Sequence, residues 1–582
     1  MADSKEPFTN DNAEIPKLDK EKETKNTKTC LITLLILFVL SIIISIILTT
    51  TIKSNDKDDK KEKNSSIIKA KYQSYIDNEK IILFNSSYLK YISSIKINGT
   101  DSQISNHQYF EAFGVYEIEF EINSSLEYLD EMFSDCENLI EINFSLLKNI
   151  KPNSMVRTFS GCKSLASVNL SNFDLSNAIN ISGLFKGCSS LSSIVLNGLN
   201  TNKVTDISEM FSGCTLLKSL DMSNFNTSNV IYMNNLFEST SLTSININNF
   251  ETLNVIDMSN LFYKCNFLTS IEISKINTNN VKNMSQMFSG CQSITSLNII
   301  DFDTSNVTSM QGMFENCISL EQLDISNFRT KKVKDMSYMF YSCSSLTSLE
   351  LSNFNTPALE KIAFMFSGCS SLIKLNITIM QTTNVESLAN VFASCGKLTS
   401  IDFRNFQTKN VKSFFGMFSG CENLSDINLD GIDASNAKDF TAMFYNCKSL
   451  TSIDFEYFYT SNALSMNSMF EGCSSLGNIN LSKFDTSKVT DMSYMFSGCS
   501  SLISIDLSSF KTGQLSSINQ MFRDCRELYS IDMSSFDLNK VEFLYGTFYG
   551  LPSEGNISLN LDYTPQCVID EIPENWTIIY SN

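Results

Sequence analysis

Apolar positions along this chain repeat with a period of 26 residues. Phe stands at 133, 159, 185, 211, 237, 262, 288, 314, 340, 366, 392, 418, 444, 470, 496, 522 and 548, and only the interval 237–262 is 25 residues. Inside a unit the spacing changes. Leu502, Ile505 and Leu507 form a Leu-x-x-Ile-x-Leu frame, which predicts a short strand with its apolar side chains on one face. Phe510 closes the turn that follows. Val489, Met492, Met495 and Phe496 are spaced i, i+3, i+6, i+7, which predicts a helix of one or two turns, with Thr486 and Ser487 supplying its N-cap. The fold class that results is an α/β repeat solenoid. It is a leucine-rich-repeat array of about sixteen units, each a short parallel strand plus a short helix. One unit buries too little apolar surface to fold alone, so stacking must provide the core.

The flanks divide the chain further. Residues 1–29 are polar and charged and read as a cytoplasmic tail. Residues 30–52, CLITLLILFVLSIIISIILTTTI, carry no charge over 23 positions. At about 1.5 Å per residue this run crosses a ~30 Å hydrocarbon core with some tilt, so it reads as a transmembrane signal anchor. The rival is a cleavable signal peptide, whose apolar region would be shorter and end in small residues. Cys30 is either a palmitoylation site or an ordinary boundary residue. Five Lys precede the span (Lys17, Lys20, Lys22, Lys25, Lys28) and five follow it (Lys53, Lys57, Lys60, Lys61, Lys63), so charge does not orient it. Residues 53–66 read as a charged stalk. The array, 131–548, needs covers for its two apolar ends. These are assigned to a β-rich N-terminal cap at 67–130 and a C-terminal cap at 549–582.

Charge and composition narrow the chemistry. The formal net charge is −19. Residues 1–63 sum to zero, so the repeats and their flanks hold all of it. Such a body repels phosphate backbones and anionic lipid, which argues against nucleic acid as a partner. There is one His, His107, and one Trp, Trp576. That leaves a single candidate base for nucleophilic catalysis and no multi-His metal site. No catalytic residue, metal ligand, cofactor or small-molecule substrate is assigned, and the chain reads as a non-enzyme.

Cys follows the repeated Phe by three residues in fifteen units: Cys136, Cys162, Cys188, Cys214, Cys265, Cys291, Cys317, Cys343, Cys369, Cys395, Cys421, Cys447, Cys473, Cys499 and Cys525. Neighbours in such a column lie within disulfide range, but their Cβ vectors run parallel. The favoured reading is a structural ladder of buried thiols, small hydrophobes that donate weakly to turn carbonyls. No C-x-x-C occurs to suggest zinc. On the expected concave face one strand position reads Asn376, Asp402, Asn428, Asp454, Asn480, Asp506. Alternating amides separate like charges there; a row of weak Ca²⁺ sites is the rival reading, with too few acids per site. The Ser-rich face is interrupted at Lys374, Arg404, Asp426, Asp430, Glu456 and Tyr457, which makes 374–457 the candidate binding patch; drift on a solvated face is the alternative. Fifteen N-x-S/T sequons, four of them on expected concave strands, fit an exported glycoprotein.

The repeat around 470–511, MFSGCSSL-x-SIDLS-x-FDTS-x-VTDMSYMF in outline, resembles the BspA-like leucine-rich-repeat surface proteins, with the 26-residue repeats of trichomonad and mycoplasma-lipoprotein type. The resemblance covers about 131–548. It implies a surface array that adheres to host cells, matrix or other microbes through an extracellular protein or glycan ligand. On that analogy the chain is a single-pass cell-membrane protein with its repeats outside. A receptor signalling through the tail and a passive surface coat are the alternatives.

Overall fold

The computed structural model describes residues 66–581 other than 124, 125, 148, 149, 172, 404 and 405. The predicted tail, the predicted anchor at 30–52 and all but the last residue of the stalk lie outside the described residues. Among the described residues, no helix is long and apolar enough to cross a membrane.

The described chain opens with β1 (Ser66–Ser74), β2 (Glu79–Ile82), β3 (Ile92–Ile97), β4 (Thr100–Ser102), β5 (His107–Phe110) and β6 (Gly114–Ile122). β1 alternates buried and partly exposed residues, as a strand with one core face must. It pairs antiparallel with β6 on one side. On the other it pairs antiparallel with β7 (Leu139–Asn143), the first strand of the repeats. From β7 onward the sheet is parallel, through β8 (Ser167–Asn169) and β9 (Ser193–Val195). β1 therefore covers the open edge that the first repeat would otherwise present to solvent. Tyr72 of β1 is fully buried and donates its hydroxyl to the Leu83 carbonyl. Phe120 of β6 approaches Phe133 at 6.1 Å between centroids and joins this region to the core of the repeats.

Every parallel repeat pair is offset by 26 residues: Ser244 pairs with Ser270, Ser348 with Lys374, Ser400 with Asp426, Ser504 with Ser530. Beyond the last Phe the same offset continues once more, Ser530 to Asn556, before Gly555 pairs with Trp576 at a shorter interval. A second column of parallel bridges runs along the other side of the stack, from Tyr128–Ser154 through Asp206–Tyr232 to Ser517–Phe543.

The predicted strand is present in most units, but the predicted helix is not. Over the Val489–Phe496 segment the chain makes an isolated parallel bridge at Asp491 and then runs as consecutive tight turns from Ser493. Among the described residues, the α-helix that forms is Gln566–Ile569, outside the repeats. Tyr494 and Gly498 have φ of 58° and 73°, and a left-handed residue every fourth position stops a right-handed helix from propagating. The backbone N–H groups divide instead between two directions. Those of Met492, Tyr494, Phe496 and Gly498 donate to carbonyls of the next unit, while those of Met495, Ser497 and Cys499 donate three residues back. All are satisfied, as buried backbone must be. Thr486 and Ser487 accordingly do not cap a helix.

These turns aim the repeated Phe inward. All seventeen rings from Phe133 to Phe548 form one continuous stack, with centroids 5.4–6.2 Å apart and planes within 2–14° of parallel. Each contact adds about 0.5–1.5 kcal/mol beyond apolar burial, so the array is held by a large number of equivalent neighbour terms.

Candidate functional site

The chain turns its corners with side-chain acceptors. After most concave strands an Asn, Asp or Glu oxygen accepts the N–H two residues on, at 2.8–3.2 Å, as in Asn143–Ser145, Asp221–Ser223, Asn376–Thr378, Asp454–Glu456 and Asp506–Ser508. The same bond recurs at two further corners of the unit, for example Asp206–Ser208 and Asp485–Ser487. These are Asx turns. The bonds from Ser223, Ser326 and Ser508 hold the Asp221, Asp324 and Asp506 carboxyls below their ordinary range. In the concave row, then, most side-chain oxygens bond their own turns. Many sequons have the same origin: Asn143, Asn169, Asn180, Asn226, Asn283, Asn376 and Asn480 each accept the N–H of their own Ser or Thr. Asp occupies equivalent corners in other units.

The candidate patch falls into two columns. Lys374 opens one strand and Asp426 another, at the same position of units two apart. Asp430 and Glu456 stand four residues later, in the turns of adjacent units, their N–H groups bonded to Asn428 and Asp454. Tyr457 follows and is 56% exposed. Arg404 lies outside the described residues. The described members are exposed, and no ion pair joins any two of them. His107 lies in the N-terminal region, on β5, with Nδ1 3.2 Å from Asn106 Oδ1.

All fifteen ladder thiols are free and fully buried. From Cys162 on, each Sγ donates to the carbonyl of the Phe in the preceding unit, as in Cys162 to Phe133 at 3.0 Å and Cys395 to Phe366 at 3.2 Å. Burial pushes these thiols up, Cys317 and Cys421 to about 12. In the short unit Thr240 takes the place of Cys and bonds its own Phe237 carbonyl and Cys265.

A second buried polar column has no counterpart in the sequence reading. Thr201, Thr252, Thr278, Thr304, Thr330, Thr356, Thr382, Thr408, Thr460, Thr486 and Thr512 each donate Oγ1 to a carbonyl 25 residues on, at 2.8–3.2 Å. Most also accept the N–H of that same residue, as Thr382 does from Gln407. Where both bonds form, the hydroxyl ties the N–H and the C=O of one residue in the next unit. The signal was legible as a Phe-x-Thr spacing. Ala434 is the gap in this column, opposite Tyr459. Ala434→Thr is expected to raise stability by about 1 kcal/mol by restoring the bridge; a chemical-denaturation midpoint at or below that of the parent contradicts this.

Stacked strands, a 26-residue Leu and Phe frame and two internal polar ladders define a leucine-rich-repeat solenoid. The chain belongs to the family described as "Mycoplasma protein of unknown function, DUF285", whose model matches 153–271, 256–374, 346–453, 370–475 and 439–558, well over half of the sequence. The BspA type leucine rich repeat region matches 73–177. No curated protein matches the chain. Among solved structures, a leucine-rich repeat protein from Eubacterium ventriosum is 18% identical, covering 56% of this chain and 81% of its own, with a TM-score of 0.34. A leucine rich cell surface protein from Faecalibacterium prausnitzii is 17% identical over the same shares, with a TM-score of 0.27. The functional domain of InlJ from Listeria monocytogenes, described as including a cysteine ladder, is 11% identical over 81% of this chain and 76% of its own, with a TM-score of 0.16.

Proposed function

We propose that this chain is a membrane-anchored cell-surface protein whose repeats lie outside the cell. There they mediate adhesion or protein–protein interaction with host cells, matrix or other microbes. The observation that carries the reading is membership of the BspA-type repeat class, joined to a long array of exposed strand and turn positions over a rigid aromatic core. The apolar run at 30–52 supplies the anchor. Individual contacts with a Ser-rich face are weak, because it lacks the aromatic and Arg anchors of tight interfaces; many copies on one membrane supply avidity. The ligand is an extracellular protein or glycan, and the chain performs no reaction. Residues 374–457 form the contact patch within this proposal.

Charge reversal tests the patch. Cells displaying Arg404→Glu, Asp430→Lys and Glu456→Lys together are expected to adhere several-fold less than cells displaying the parent at equal surface density. Unchanged adhesion removes 374–457 as the contact surface.

A further inference from the structure

A cavity of about 910 Å³ runs along one corner of three successive units, at 300–305, 326–332 and 353–355, away from the strand patch. Its volume suits a ligand of several rings. The wall includes an unusual sequence for so acidic a chain: Arg329-Thr-Lys331-Lys332-Val-Lys334 puts four cations in six positions. Lys334 pairs with Glu360 and lies outside the lining. Of the three that line the cavity, Lys332 bonds only a neutral partner, Asn306 Oδ1, at 2.6 Å. Among the described residues, the Arg329 guanidinium and the Lys331 ammonium make no ion pair or side-chain hydrogen bond. Two carboxylates share the wall. Asp303 accepts the Ser305 N–H at 2.9 Å and its pKa is lowered in part by the nearby Arg329 charge, so the wall sets two carboxylates, Asp301 and Asp303, against three cations.

The same cavity holds an orphaned acceptor. Asn355 Oδ1 is the one buried side-chain N or O atom among the described residues without a hydrogen-bond partner. The cause is local. At the equivalent corner Asp303 accepts from Ser305, Asp433 from Ser435 and Asp485 from Ser487. Two residues after Asn355 stands Pro357, which has no N–H to give. The Asn355 N–H has also left its usual hydroxyl acceptor and bonds the Asn353 carbonyl at 2.9 Å. A buried acceptor without a donor is costly unless something supplies one.

An anion to meet the cations and a hydroxyl to meet Asn355 are found together in an acidic sugar. The wall otherwise offers amides and hydroxyls such as Asn327, Asn353 and Ser326, while Phe302 and Phe328 are buried. Peptide anchors would need exposed apolar pockets instead. We propose that this corner binds an acidic saccharide, its anionic group held by Arg329, Lys331 and Lys332 and one of its hydroxyls donating to Asn355 Oδ1. This holds or fails in solution, whichever side of a membrane carries the repeats.

The test titrates the full chain in detergent, by calorimetry, with a heparin-derived tetrasaccharide, with sialyllactose, with inorganic sulfate and with an acidic phosphopeptide. Saturable binding of either saccharide, tighter than sulfate, is expected, and the two arms tell sulfated from carboxylated ligands. Neutralising the cations together (R329Q, K331Q, K332Q) is expected to weaken binding about tenfold or more. Pro357→Ser keeps the charge and returns a donor to Asn355, so it is expected to weaken saccharide but not sulfate binding, by about threefold. Lys334→Gln leaves affinity unchanged. The proposal is overturned if neither saccharide saturates, if sulfate or the phosphopeptide binds as tightly as the better saccharide, or if the triple variant, folded by circular dichroism, binds like the parent.

Discussion

Raising the pH from about 8 to about 11 is expected to unfold the repeats over a narrow interval, because the unfolded chain would ionise its thiols while the folded chain cannot. The ordinary Cys value is 9.0, and burial pushes Cys214, Cys317, Cys369, Cys421, Cys473 and Cys525 up to about 12 and Cys265 to about 11. Below the unfolded value both states hold the proton and stability does not depend on it. Between about 9 and about 12 the unfolded state has lost protons that the folded state keeps, so stability falls as pH rises, by roughly 1 kcal/mol per thiol per pH unit. Fifteen such groups offset, within about one or two pH units, the 5–15 kcal/mol that typically holds a domain together. Circular dichroism followed against pH, with thiolate absorbance as a second probe, is expected to show both changing together. At neutral pH a thiol reagent is expected to modify exposed Cys567 and to spare the ladder. Thiolate absorbance that titrates near 9 while the fold persists would show the ladder to be solvent-accessible.

The second large effect concerns the aromatic column. Phe340→Ala removes a ring that stacks on Phe314 and on Phe366, both at 5.6 Å, and is expected to cost about 3–5 kcal/mol. Each unit touches only its neighbours, so the loss falls on one interface and divides the array. The single Trp, Trp576, lies at the C-terminal end of the sheet and reports on that end alone. In the parent, urea unfolding by Trp fluorescence and by far-ultraviolet dichroism is expected to coincide; in the variant the two curves separate. Coincident curves with an unchanged midpoint would mean that the stack does not carry the array.

The parts of this fold written as a strict period were legible in the sequence. The 26-residue recurrence of Phe and the Leu-x-x-Ile-x-Leu frame fix the units and the strand register, because parallel strands in a stack inherit the spacing of the repeat. The predicted helix and the observed turns differ because periodicity reports only which side chains return inward. A run of turns that brings Val489, Met492, Met495 and Phe496 to the core gives the same spacing as a helix. The distinguishing signal was smaller: Gly, Asn, Asp or Ser recurring just before Cys, as in Ser497-Gly498-Cys499, where a left-handed residue is needed. Gly472 shows the constraint, since a Cβ there would stand 2.1 Å from Asn446 Oδ1. Thr486 has the spacing of a cap, because its partner, Lys511, is 25 residues away and local spacing cannot show it. The orphaned Asn355 oxygen depends on one Pro357 against a background of Ser and Asn, a departure that stands out only once the turn bond of its neighbours is known.

The proposed surface role stands on where the repeats face. Antibody against the repeats, applied to intact and then to permeabilised cells expressing the full chain, with glycosidase digestion as a control, tests it most directly. Staining of intact cells together with a glycosidase-sensitive shift in mobility is the predicted result. Staining only after permeabilisation, with no shift, would place the array inside the cell and contradict the adhesive reading.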